Sequence, residues 1–150
     1  MRTHAHGQGY ADVNFLIREL FETIVFTKGL LLANVGDFSA AGASDLRFFK
    51  ELRRDFVSVS VGGDDYYRVV AGGTSRGGAG ALTIAGELTR YNGPFELPGN
   101  FRRVNGLLRW HRATETQALT VTALAYDAEW DSTDQIPLRL VAAGLLSRLG

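Results

Sequence analysis

The chain has 150 residues, of which 16 are basic and 16 acidic, so its formal net charge is zero. This balance, without a long basic or acidic block, argues against a nucleic-acid-binding protein. The absence of cysteine excludes disulfide scaffolds, thiolate metal sites and cysteine nucleophiles. Eighteen glycines, three prolines and 11% aromatic residues favour a β-rich chain with many turns. The longest apolar runs fall far below the roughly 18 residues of a membrane-spanning helix, which leaves only strand-built membrane proteins in that class.

The first predicted element is a short amphipathic helix over residues 12–22, DVNFLIRELFE. Its apolar side chains are spaced so that they share one helical face. Asp12 or Asn14 would cap the helix by accepting a backbone N–H bond. The apolar residues of this face are Phe15, Leu16, Leu20 and Phe21.

Residues 24–48 begin with β-branched and aromatic residues and continue with a segment rich in Gly, Ala and Ser. Residues 23–26, TIVF, predict a strand that ends at Lys28 and Gly29. Gly36 and Gly42, placed among Ala and Ser, predict backbone positions with positive φ or very close packing.

From residue 56 onward the chain alternates apolar and polar residues between Gly, Asn, Pro and Asp, which predicts successive antiparallel hairpins. The predicted strands cover residues 56–61, 66–72, 79–91, 102–112 and 117–129. The connectors contain residues 64–65, 74–78, 92–100, 113–116 and 130 onward. If the sheet belongs to a bacterial membrane barrel, the second and fourth connectors are the short periplasmic turns and the others are extracellular loops.

The alternation gives two of these strands one apolar and one polar face. In the third strand, the apolar face carries Leu82, Ile84, Gly86 and Leu88, and the other face carries Thr83, Ala85, Glu87 and Thr89. In the fourth, Val104, Gly106, Leu108 and Trp110 alternate with Arg103, Asn105, Leu107, Arg109 and His111. The fifth strand is ambiguous, because its apolar residues change phase near Leu124, and a bulge or an interfacial position would explain the change.

Alternation alone does not tell a soluble sheet from a membrane barrel, since apolar-in and apolar-out strands read identically. A soluble sandwich or barrel therefore remains an alternative. Aromatic residues near the predicted strand ends are typical of an interfacial girdle, although soluble sheets carry them too. These residues are Tyr66, Tyr67, Tyr91, Phe95, Phe101, Trp110, Tyr126 and Trp130.

The chain resembles TonB-dependent outer-membrane receptors at the join between plug and barrel. The residues that carry the resemblance are Ile24, Val25 and Phe26 in the strand, Lys28 and Gly29 at the corner, and Val35, Gly36 and Gly42 in the small-residue turn. Residues 6–12, 14–17, 35–42 and 134–137 resemble one subgroup of that family. Arg18 and Leu30 stand where the family usually has proline.

The resemblance implies a fold class that is mainly β, with a plug inside a 22-stranded transmembrane barrel. Residues 1–50 would be the C-terminal part of the plug, and residues 51–150 the first barrel strands. The family takes up a scarce nutrient, such as a siderophore, cobalamin or a saccharide, with energy from the TonB complex. The expected partners are therefore TonB, a small nutrient and outer-membrane lipid, and the expected location is the outer membrane.

On this basis the chain is expected to be a fragment of such a receptor, because it carries about five strands and lacks a secretory leader. Its sheet would have open edges that a bilayer does not tolerate, so the fragment alone is not expected to span a membrane or to transport. The alternative function is a soluble β-rich domain that binds a small ligand.

Candidate site residues are few. His4, His6, Gln8 and Tyr10 belong, on the resemblance, to a plug loop that faces the extracellular ligand, while a solvated glycine-punctuated loop is the simpler alternative. His4 and His6 lack a third strong ligand beyond the nearby Asp12, so no metal site is predicted. Lys28, Gly29, Gly36 and Gly42 are assigned a structural role in the plug. No catalytic motif is present, and neither an enzyme nor a cofactor is expected.

Two charged clusters and one further helix complete the sequence-based predictions. Arg102, Arg103, Arg109, His111 and Arg112 form a basic cluster that would attract an anion or, as we favour, pair with carboxylates such as Glu87 or Glu129. The acidic residues Asp127, Glu129, Asp131 and Asp134 do not match a calcium-loop pattern. Residues 138–149 have apolar spacing that suits a short helix.

Overall fold

A computed structural model describes residues 13–29, 42–132 and 136–149. The fold is mainly β and antiparallel, as the composition predicts. Its elements are a 3₁₀ turn (Arg18–Leu20), β1 (Phe21–Lys28), β2 (Gly42–Phe48), β3 (Phe56–Val61), β4 (Tyr67–Gly77), β5 (Gly80–Tyr91), β6 (Phe101–Ala113), β7 (Ala118–Glu129) and the helix α1 (Leu138–Ala142). Within these residues, β1 and β2 form one two-stranded sheet, here called the hairpin sheet, and β3 to β7 form a second in sequence order, here called the large sheet.

The hairpin sheet confirms the predicted strand at residues 23–26 and its end at Lys28 and Gly29. β1 runs from Phe21, paired with Phe48, to Lys28, paired with Gly42. The rings of Phe21 and Phe48 stack with centroids 4.6 Å apart, which fixes one end of the pair. Gly29 has a φ of +96°, a conformation that favours glycine directly after the strand.

The predicted amphipathic helix over residues 12–22 is wrong for the residues that the structure describes. Only Arg18–Leu20 turn, as a 3₁₀ helix, and the chain is already extended at Phe21. The physical reason is tertiary: Phe21 pairs with Phe48, while Ile17 and Leu20 are buried against the large sheet. These contacts outweigh the tendency of residues 12–22 to form a helix, because a helix of this length is only weakly stable by itself.

The large sheet follows the predicted strands closely, and its first strand has the predicted bounds. The second connector is an exception, because β4 continues to Gly77 and leaves only residues 78–79 as a tight turn. The strand is extended there because its pairing with β5 continues to Gly77 opposite Gly80. The segment that precedes β3 also contacts it: Thr74 N–H donates to Asp55 Oδ1 at 3.0 Å, and Arg76 Nε to Glu51 Oε2 at 2.7 Å.

Pairing across the large sheet gives it two chemically different faces. One row runs through Val59, Val69, Leu88, Val104 and Asp127, and the next row on the same face through Val57, Ala71, Gly86, Gly106 and Ala125. We call this the open face. The opposite face carries Val70, Ala85, Glu87, Asn105 and Leu107, and we call it the covered face because residues 13–20 and 48–52 pack on it.

The phase change in β7 needs no bulge. Its register with β6 is continuous from Ala118 opposite Ala113 to Glu129 opposite Arg102. Val121 therefore lies on the open face, and Leu124, opposite Leu107, on the covered face. The strand carries apolar residues on both faces, which explains why its sequence reads ambiguously.

The hydrophobic core lies between the covered face and the N-terminal residues. Ile17 and Leu20 are only 2% and 3% exposed and pack with Leu52 from the connector to β3. On the sheet side the core contains Val70, Ala85 and Leu107. Leu107, which interrupts the polar phase of β6, is thus a core residue.

The C-terminal helix is shorter than residues 138–149, because α1 ends at Ala142 and Gly144 takes a positive φ of +68°. Among the described residues, no helix has the length and apolarity needed to cross a membrane.

We expect Gly42→Ala to open the hairpin sheet. Gly42 has a φ of +144°, and a Cβ there would collide with the backbone oxygen of Thr27 on β1. Backbone strain of this kind costs about 1–3 kcal/mol. Hydrogen exchange should show faster exchange of β1 and β2 amides, with the large sheet unchanged.

The matched control is Gly78→Ala, since a Cβ at Gly78 meets nothing within 4 Å. Equal exchange in the two variants would contradict the proposed role of Gly42.

Candidate functional site

The candidate site is the contact between the N-terminal residues 13–20 and the covered face of the large sheet. Apolar burial of Ile17 and Leu20 brings the polar neighbours of those residues against β4, β5 and β6. There they meet the polar phase of the strands. The site is therefore a layer of charged side chains that lies next to the hydrophobic core.

Arg68 on β4 is the centre of this layer. Its guanidinium donates two hydrogen bonds to the Glu19 carboxylate, from Nη1 to Oε1 at 2.6 Å and from Nη2 to Oε2 at 2.7 Å. Nε donates to Glu87 Oε2 on β5 at 3.0 Å. The Arg68 side chain is only 5% exposed, so these two carboxylates replace the water that a free guanidinium would bind.

Glu87 joins Arg68 to a second arginine. Its side chain is 1% exposed, and Oε1 accepts a hydrogen bond from Arg103 Nη2 on β6 at 2.7 Å. The same oxygen accepts from Asn105 Nδ2 at 3.3 Å and from Thr89 Oγ1 at 3.3 Å. Both oxygens of this buried carboxylate are thus occupied.

Asn105 also fastens the N-terminal residues directly. Its Nδ2 donates to the backbone oxygen of Asn14 at 3.0 Å, and Arg103 Nη1 donates to Asn14 Oδ1 at 3.3 Å. Asn105 is 2% exposed, so its side of this contact is buried, as Arg68 is in the contact with Glu19. Residues from β4, β5 and β6 therefore hold a single short segment.

The contact with Arg68 changes the pKa of Glu19. Its hydrogen bonds with Arg68 lower the pKa of the carboxyl from 4.5 to about 2, against the opposing effect of burial. Arg18 contributes a further, exposed hydrogen bond at 3.1 Å. Glu19 is therefore ionised at neutral pH.

Two residues of the basic cluster pair with carboxylates, as the sequence analysis favours for the cluster. Arg103 pairs with Glu87, and Arg102 lies 3.5 Å from Glu129 in an exposed pair. Arg109 instead lies over the ring of Phe48, 5.5 Å from its centroid, and donates to Thr122 Oγ1. His111 Nδ1 shares a 2.8 Å hydrogen bond with Thr120 Oγ1.

The site residues predicted from the resemblance fall only partly within the described residues, and the ligand-binding prediction stays a prediction. His4, His6, Gln8, Tyr10 and Gly36 lie outside the described residues. Lys28, Gly29 and Gly42 lie at the end of the hairpin sheet where β1 finishes and β2 begins. In residues 13–29, 42–132 and 136–149, no cluster of three or more His, Asp or Glu side chains is placed to hold a metal ion.

The sequence analysis did not identify Arg68 or Glu19 as site residues. A charged residue in the polar phase of an otherwise apolar strand was the available signal, and it pointed to Glu87 alone. Glu19 is 49 positions from Arg68, so their pairing depends on tertiary packing.

The open face of the large sheet is apolar over most of its length and uncovered by the described residues, and it carries Arg90, Arg102, Asp127 and Glu129 toward one end. Val57, Val59 and Val61 on β3 are 74%, 66% and 72% exposed. Large apolar side chains of the next four strands are also exposed; they are Val69, Ile84, Leu88, Val104, Leu108, Leu119 and Val121. A contiguous apolar surface of this kind marks an interaction with a partner, a ligand or a membrane.

The two ends of the large sheet differ in their connectors. At one end, strands are joined by the tight turn at residues 78–79 and by residues 114–117. At the other end lie residues 62–66, the longer loop at 92–100 and the chain that leaves β7. We call these three segments the loop rim.

Hydrogen bonds join the parts of the loop rim. Asn92 N–H donates to Asp64 O at 3.0 Å, and Asn92 Nδ2 to Asp65 Oδ2 at 2.7 Å. Gly99 N–H donates to Asn92 O at 2.7 Å, and Asp131 N–H to Gly99 O at 2.8 Å. The rim is thus a connected structure.

Comparison with known proteins identifies no relative: no family, no curated protein and no solved structure matches the chain.

We expect Glu87→Gln to destabilise the fold by about 3–5 kcal/mol, because it leaves Arg68 and Arg103 without their shared buried carboxylate. Urea unfolding in detergent micelles, which cover the open face, followed by Trp110 and Trp130 fluorescence, would measure this loss.

Glu51→Gln is the control. It removes the Glu51–Arg76 pair, whose side chains are 41% and 51% exposed, and should cost only about 0–1 kcal/mol. Similar losses in the two variants would contradict a special role for Glu87.

We also expect Glu19 to make stability fall in acid. Because its folded pKa lies below its ordinary value, its contribution is complete above pH 4.5 and is lost as pH falls toward 2. Unfolding midpoints measured across this range should decline less steeply in Glu19→Gln than in the unsubstituted chain. Glu22→Gln, at an exposed position of β1, should leave the pH profile unchanged.

Proposed function

We propose that this chain forms plug and wall segments of a TonB-dependent outer-membrane receptor, which takes up a scarce nutrient with energy from the TonB complex. The observation that carries the proposal is the inverted large sheet. Its apolar face is open, and its charged face is buried against the N-terminal residues. The proposal assigns no catalytic residue.

A sheet whose apolar face is exposed and whose charged face is buried costs free energy in water. Full burial of a Val, Leu or Ile side chain is worth about 1.5–3 kcal/mol, and the open face leaves many of them partly exposed. In a bilayer the same face meets acyl chains, while the polar face lines an interior that a plug fills. The distribution of side chains therefore favours lipid on one side and protein on the other.

Strand length supports the same environment. β4 to β7 contain 11, 12, 13 and 12 residues. A tilted strand needs about 9–11 residues to cross a bilayer, whereas most strands of globular proteins have about 5–6. These four strands have the length that a membrane wall requires.

The ends of the large sheet support an orientation for the wall. Short turns at residues 78–79 and 114–117 suit the periplasmic side, and the loop rim suits the extracellular side. Tyr67 lies on the open face at the start of β4, beside the rim, where an interfacial aromatic girdle would sit, whereas Tyr91 and Phe101 lie on the covered face at the same end.

In this proposal, residues 13–29 and 42–50 belong to the plug and the covered face is the inner wall of the barrel. His4, His6, Gln8 and Tyr10 would contact the nutrient at the plug apex. The outer strands β3 and β7 would pair with further strands, because an open sheet edge is unstable in lipid.

A lipid-access scan tests the membrane assignment. The chain contains no cysteine, so one introduced cysteine reports one position in it. Single cysteines at Ile84, Leu88 and Leu108 should, after labelling with an environment-sensitive dye in membranes that contain the natural gene product, be quenched by spin-labelled lipid.

The matched positions on the covered face are Thr83, Thr89 and Leu107, which precede or follow the open-face positions by one residue. We expect little lipid quenching there, which gives a period of two along β5 and β6. Recovery of the protein in the soluble fraction with water-exposed labels at Ile84 and Leu108 would support a soluble ligand-binding domain instead.

The receptor assignment itself is tested by uptake. Cells that carry the gene should accumulate the nutrient only while TonB is present, with siderophores, cobalamin and saccharides as probes. Uptake that persists without TonB would exclude this family while leaving the membrane wall intact.

A further inference from the structure

Arg68 holds its partner in the geometry of a ligand site. The two terminal nitrogens of the guanidinium face the two oxygens of Glu19 at 2.6 and 2.7 Å, which is the paired arrangement that arginine uses for carboxylates. Glu19 belongs to the N-terminal residues, and Arg68 to the large sheet. The contact therefore joins two parts of the chain that could separate.

The large sheet carries one more positive than negative charge around Glu87, so a carboxylate from outside the sheet must balance it. Arg68 and Arg103 contribute two positive charges around Glu87, which contributes one negative charge. Glu19 provides the second carboxylate. If the N-terminal residues move away, the sheet retains an excess positive charge at Arg68.

Glu87 is badly placed to replace Glu19. Its Oε2 already accepts from Arg68, and its Oε1 accepts from Arg103, Asn105 and Thr89. Without Glu19, Arg68 keeps only Glu87, a carboxylate that it shares with Arg103, so the excess positive charge would favour another anion at the vacated position.

From these observations we infer that Arg68 is a carboxylate-binding position of the sheet, which Glu19 occupies as an internal ligand and which an acidic solute occupies when Glu19 is withdrawn. The inference rests on the proposed function, because displacement of a plug is what would withdraw Glu19. The ligand class is a small carboxylate or a carboxylate group on a larger nutrient.

The position of Arg68 suits entry from the loop rim. It is the second residue of β4, directly after Tyr67, where the strand leaves residues 62–66. Arg103 is the third residue of β6, at the same end of the sheet. An acidic solute that passes the rim would thus meet both arginines early.

Chemical rescue by acetate tests the inference. Glu19→Ala in detergent micelles creates the vacancy without moving the chain, and acetate should raise its thermal midpoint by several degrees more than chloride at the same ionic strength. The unsubstituted chain should show no difference between the two salts, because Glu19 fills the position.

The control is Glu19→Ala combined with Arg68→Met, which keeps the vacancy and removes the guanidinium. We expect no acetate effect in this variant. An acetate effect equal to that of chloride in Glu19→Ala, or one that survives Arg68→Met, would overturn the inference.

If Glu19→Ala does not fold, Glu19→Ser also leaves the position vacant while it keeps a polar group there, and nitrogen NMR of the Arg68 guanidinium replaces the thermal midpoint. Acetate should then shift the Arg68 Nε resonance, and an unshifted resonance would overturn the inference. Lipid access and TonB-dependent uptake are measured separately, so a failure here is distinguishable from a failure of the proposed function.

Discussion

The buried guanidinium of Arg68 is the constraint on which the arrangement of the chain depends. A cation that is 5% exposed needs carboxylates on both sides, and the sheet itself supplies only Glu87. The second must come from a segment packed on the covered face, and Glu19 provides it because Ile17 and Leu20 are buried beside it. Apolar packing and charge pairing thus require each other here.

This coupling explains why the sheet is inverted. The charged side chains Arg68, Glu87 and Arg103 pair with one another and with the N-terminal residues, so their charges are withdrawn from solvent. Three buried atoms of the same face, Arg103 Nε, Asn105 Oδ1 and Arg109 Nε, have no hydrogen-bond partner among the described residues. The apolar phase has no such cover from the described residues. The charged side is therefore the buried side, and the apolar side is exposed among the described residues.

The sequence predicts the large sheet well because alternation with a period of two is a local property, and the strand at residues 56–61 is reproduced without change. It fails at residues 12–22, where Ile17 and Leu20 are buried and Phe21 pairs with Phe48 across the chain. It fails also at residues 74–77, which continue to pair with β5 although their sequence is typical of a turn.

Which face is covered, and by what, is not a local property either. Thr83 and Ile84 alternate in the same way whether water, lipid or protein lies against them. Glu87 was recognised as a partner for the basic cluster because both lie in polar phases of neighbouring strands. Glu19 was missed because nothing near it in the sequence points to a residue 49 positions away.

The loop rim has a consequence for how such a protein can diversify. Asn92 is bonded to residues of one neighbouring segment through both its backbone and its side chain, and its carbonyl oxygen accepts from Gly99. Gly99 in turn accepts from Asp131. Loops joined in this way do not vary independently, so a substitution in one of them constrains which substitutions its neighbours accept.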